Sequence, residues 1–118
     1  MSNETQQNIR AVEVSIEEAQ GAAETLAALL RLRDNADFKT VIEDGYFRDE
    51  AARVVGLRSE PNILMQDAVA LQMVENQITS IGGLRQYFIK IQQIGNLAAQ
   101  SLAEDQATHA ELLTEDGE

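Results

Sequence analysis

Ile9, Val12, Ile16, Ala19, Ala23, Leu26 and Leu30 recur at steps of 3, 4, 3, 4, 3 and 4 residues. A line with that spacing stays on one side of an α-helix, whereas strand side chains change face at every residue. The chain is thereby committed to helices that bury a seam against one another. Glu13, Glu17, Glu18, Gln20 and Glu24 fill the other faces. Asn3 or Thr5 can cap the start, and Arg31 and Arg33 set positive charge against the C-terminal dipole. The spacing predicts a helix over 4–33, roughly 45 Å long at 1.5 Å per residue.

The next stretch, "DFKTVIEDGYFRDEAARVV", holds three of the five aromatic residues and five carboxylates. It reads as two short helices over 37–57. Asp37 caps the first, Gly45 ends it in a left-handed position, and Gly56 stops the second. Ser59 and Pro61 then mark a fresh start.

Beyond them Leu71, Val74, Ile78 and Ile81 keep heptad spacing, followed by Leu84, Phe88, Ile91, Ile94, Ala98 and Leu102. The step of three from Ile81 to Leu84 breaks the alternation at Gly82-Gly83, and two glycines cost a helix interior about 1–2 kcal/mol. A kink there separates helices 62–81 and 84–110, with 111–118 as a frayed acidic tail. These elements amount to a single all-α domain, 1–118. Its expected form is an elongated helical bundle or coiled-coil hairpin with two short helices at the corner.

Composition agrees. Aromatics are 4% of the 118 residues, Trp and Cys are absent, and Pro61 is the one proline, so the core falls to Leu, Ile, Val and Ala. Without Cys there is no disulfide, thiolate zinc site or Cys nucleophile. No apolar run reaches the ~20 residues of a membrane span, and "MSNETQQNIR" carries no leader pattern, which predicts the cytoplasm. The net charge of −11 repels nucleic acid and anionic lipid. The acids gather at the ends and the corner. From Asn62 to Leu102 two acids face two bases among seven Gln.

Catalytic constellations fail one by one. Glu43-Asp44 and Asp49-Glu50 alternate with Lys39, Arg48 and Arg53 at ion-pair spacing, and Asp49 and Glu50 suit a helix first turn. No window supplies a calcium loop. His109, the only histidine, sits four residues after Asp105 on the same helical face, where the two can pair. No Glu-x-x-His pair, triad or phosphate loop is present. The expectation is a protein that is not an enzyme and has no cofactor or metal.

Surfaces remain. The seam Ile9, Val12, Ile16, Ala19, Ala23, Leu26 and Leu30 is one candidate interaction face. Met65, Met73 and Ile89 on the neutral Gln-rich flank form another, suited to self-association. Small residues (Ala19, Gly21, Ala22 and Ala23 against Gly95, Ala98 and Ala99) would let the first and last helices approach closely if antiparallel.

From Leu30 to Asp105 the phrases "DFKTVIEDGYFRDEAARVV" and "ITSIGGLRQYFIKIQQIGNLAAQSLAED" resemble small acidic helical proteins of tailed bacteriophages. That resemblance implies a virion or capsid-assembly role, such as a scaffold or core protein. It implies a homo-oligomer that meets a phage capsid or portal protein, in the host cytoplasm during assembly or in the virion. The competing expectation is an acidic inhibitor that mimics DNA charge against a host nucleic-acid enzyme, a role that the neutral body segment disfavours.

Overall fold

A computed structural model describes residues 2–61 and 68–117, with side chains through 115. Among the described residues every element is helical: α1 (Asn3–Asp34), α2 (Ala36–Phe38), a π-helix (Lys39–Glu50), α3 (Ala51–Arg58) and α4 (Ala68–Gly117). The all-α reading of the heptad lines therefore holds. Contacts divide the chain into two compact units, one of residues 1–29 with 90–118 and the other of residues 30–89. The first carries eleven acids against two bases, and the second nine against seven.

α1 begins at Ser2, whose hydroxyl accepts the amide of Thr5 at 3.0 Å, so the cap lies one residue before Asn3. Asn35, in extended backbone (φ −71°, ψ 127°), accepts the amide of Phe38 and starts α2. Asp37 lies inside that first turn, where its charge suits the dipole, and is not the cap.

Gly45 does not stop a helix. No described residue has a positive φ, and the chain passes through Gly45 within the twelve-residue π-helix. Along this run Phe38, Ile42, Tyr46-Phe47 and Ala51 turn partly inward. Their steps of four to five exceed the α-helical three to four, as the wider i→i+5 turn requires. The widened turn lets the adjacent Tyr46 and Phe47 both pack against one core. The two short helices expected at 37–57 are thus one continuous helical run. Gly56 is helical too, and the run ends at Ser59, whose amide donates to the Gly56 carbonyl.

Gly82-Gly83 makes no break either, because α4 runs unbroken for 50 residues, and the expected frayed tail is helical as far as Gly117. The propensity cost of two glycines is local, whereas Ile78, Ile81 and Leu84 on the inner face hold the helix by packing. The expected start at Asn62, and Met65 with it, lie outside the described residues.

Candidate interaction surfaces

In the first unit, α1 and the C-terminal half of α4 pair in opposite directions. Leu26 lies against Gly95, the Ser15 hydroxyl donates to Asp105 at 2.6 Å, and His109 Nε2 meets Glu13 at 3.0 Å. Asp105 is therefore held by Ser15 and His109 by Glu13, and the expected Asp105–His109 pair does not form. Same-helix spacing could not reveal partners that lie 90 and 96 residues away.

Ile9, Val12, Ile16, Ala23 and Leu26 of the predicted seam are half-buried, and Ala19 is buried. The line fails at its end, where Leu29 is 4% exposed and Leu30 is 50% exposed. A seven-residue repeat drifts by about 20° per heptad on a straight helix. In addition, the last turn of α1 belongs to the second unit, where Arg33 reaches Glu43 at 3.2 Å. A period suited to one neighbour does not survive a change of neighbour.

At Gly95 the two helices come close together. A Cβ built there would stand 2.5 Å from Leu26 Cβ, so the two helices meet on a hydrogen atom. Gly95 takes the inner position that the spacing assigned to Ile94, and Ile94 is 46% exposed. Of the small residues, Ala19, Ala22 and Ala98 line one open groove together with Leu97, while Gly21 and Ala99 face outward.

In the second unit Val54, Val74 and Ile81 form a small buried core, with Tyr46, Phe47, Ala51, Leu57 and Ile78 packed on it. All five aromatic residues of the chain join one cluster. Ring centroids are 6.0 Å apart for Phe38–Phe88, 5.7 Å for Phe47–Phe88, 5.8 Å for Tyr46–Phe47 and 6.2 Å for Tyr87–Phe88. Arg85 closes it, with its guanidinium 5.2 Å from the Phe47 centroid and donating to the Phe47 carbonyl at 2.9 Å. The sequence offered three of these aromatics as a local group. Their union with Tyr87 and Phe88 is tertiary.

Each of the four corner carboxylates meets an arginine. Glu43 meets Arg33, Asp44 and Asp49 meet Arg48, and Glu50 meets Arg53. The hydrogen bond from Arg53 is the main cause holding the Glu50 carboxyl below its ordinary range, and the hydrogen bond to Asp49 likewise raises Arg48. A carboxyl in that state is ionised at neutral pH and accepts hydrogen bonds, and it does not store a proton for acid catalysis.

Among the described residues no cluster of three or more His, Asp or Glu side chains could hold a metal ion, and no helix is long and apolar enough to cross a membrane. What the surface does offer is exposed apolar side chains: Val14, Val41, Val55, Met73, Tyr87, Ile89, Ile94 and Leu97 among them. Met73 (59% exposed) and Ile89 (38% exposed) lie outward on α4. No protein-family model, curated protein or solved structure matches the chain.

Proposed function

We propose that this chain is a non-enzymatic structural or assembly protein of a tailed bacteriophage, a capsid scaffold, core or other virion component, that works by helical self-association. The observation that carries this reading is the mismatch between core and surface. Among the described residues the buried apolar side chains are Ala19, Leu29, Val54, Val74, Ile81 and Ala98, against twelve large apolar side chains left exposed. Helical units with so few buried apolar side chains leave apolar faces that a partner can cover. The bacteriophage setting rests on the resemblance of the stretches in Leu30 to Asp105. Eleven acids against two bases in the first unit suit a basic surface on a capsid or portal partner.

The test has two arms. Sedimentation across a wide concentration range should show a mass that rises with concentration. Affinity capture from infected cells, beside mass spectrometry of purified particles, should recover a capsid or portal protein. A concentration-independent monomer that captures a host nucleic-acid enzyme would refute the reading in favour of charge mimicry.

A further inference from the structure

The solvent side of α4 carries a second heptad line. Met73, Asn76, Ser80, Gly83 and Tyr87 follow one another at steps of 3, 4, 3 and 4, and all five are exposed. This line is distinct from the inner one of Val74, Ile78, Ile81 and Phe88, which packs within the chain. A helix with two lines of 3.5-residue period presents one more seam than its own chain fills.

We propose that this outer line is the face on which a second copy of the chain docks, line against line about a two-fold axis. The inference rests on the self-association reading above and names its surface. Charge selects the occupant. The chain carries −11, so most approaches of one copy to another are repulsive. Along this line the flanking positions are Gln72, Thr79 and Gln86 on one side and Gln77 and Leu84 on the other, all uncharged. A basic partner would gain most at the acid-rich first unit, and a like-charged copy loses least on a neutral strip.

Gly83 adds a reason of its own. Among the described residues nothing comes within 4 Å of a Cβ built there, so no described contact calls for glycine, and a facing helix would gain a close approach. Asn76, its amide held by Gln72 at 2.9 Å, sits on the seam where a polar side chain fixes register.

The test is sedimentation of the full chain and three variants, with circular dichroism of each. Met73→Glu with Gly83→Glu adds two negative charges to the line, at an exposed methionine and at a glycine whose replacement favours helix. Met73→Glu alone keeps the test available if the double variant misfolds. Val41→Glu places the same charge on an exposed site of the π-helix, off the line. The expected result is that wild type and Val41→Glu associate, whereas the line variants stay helical and dissociate, with the dimer constant weakened about tenfold or more. A wild type that is monomeric throughout overturns the self-association reading and this inference with it. Line variants that associate as wild type does, or a Val41→Glu variant that also dissociates, overturn the inference alone.

Discussion

The same substitution at two glycines of α4 should change stability in opposite directions. At Gly95 an added methyl would sit 2.5 Å from Leu26 Cβ and 2.7 Å from Leu26 Cδ2. The Cδ2 atom can swing away with its rotamer, but the Cβ is fixed to the α1 backbone, so the helices themselves must part. Overpacking of this kind costs about 1–3 kcal/mol, and a rigid contact belongs at the upper end. Helix propensity returns about 1 kcal/mol of that. The net expectation for Gly95→Ala is a loss of about 2 kcal/mol, a melting temperature lower by roughly 6–10 °C for a chain of this size.

At Gly82 nothing among the described residues lies within 4 Å of the built Cβ. Only the propensity gain remains, about 1 kcal/mol, or roughly 3–5 °C upward. Both are read by thermal melting at one fixed protein concentration, because association would otherwise move the midpoint. Leu26→Gly in the Gly95→Ala background removes the obstructing Cβ itself, so the two losses should fall short of additive by about 1 kcal/mol. A Gly95→Ala protein that melts above wild type, as is expected of Gly82→Ala, would show that α1 and α4 do not meet at Leu26 and Gly95. The antiparallel pairing of the first unit would then be wrong.

Phe47→Ala should cost about 2–4 kcal/mol in chemical denaturation, below the 3–5 of a fully buried ring because Phe47 is half-buried. Asp49→Asn with Glu50→Gln should leave both stability and association nearly intact, and lost association in that variant alone would make the corner a working site. Asn35→Ala removes the side-chain acceptor for the Phe38 amide and should cost about 0.5–2 kcal/mol. Glu50, followed by NMR titration, should titrate below the ordinary carboxylate range, and Arg53→Ala should return it there. Since its folded-state pKa is depressed, its stabilising contribution is present above the unfolded value and is lost as pH falls through the folded one. Salt at about 1 M should erase most of that contribution, and an unchanged midpoint in both Arg53→Ala and high salt is compatible only with a negligible pair.

Helix content was legible because a 3.5-residue period has no strand reading, and Ile9 to Leu26 kept that period against a single neighbour. The glycines were not legible. Gly45, Gly56 and Gly82-Gly83 look alike as helix breakers, yet none ends an element, and Gly95, inside an apolar run, is where α1 comes against α4. A glycine states only that Cβ is absent. Whether the reason is a turn, a close neighbour or nothing in the chain depends on tertiary partners. The same limit hid Ser15–Asp105 and Glu13–His109.

The outer line of α4 carries this argument one step further. Scored by hydropathy, Asn76, Ser80 and Gly83 are breaks in a pattern, so the line from Met73 to Tyr87 does not register beside the stronger inner one. It stands out only after the inner line has been assigned its partners, because the residues left over still keep a heptad and still lack charged flanks. Weak apolarity is also what a reversible face needs. A line of Leu and Ile would lock copies together or collapse onto the chain's own core, whereas small and polar seam residues give up stability for register. In a chain of net charge −11, repulsion elsewhere would confine the proposed association to the neutral strip. The acid-rich first unit remains open to a partner of opposite charge.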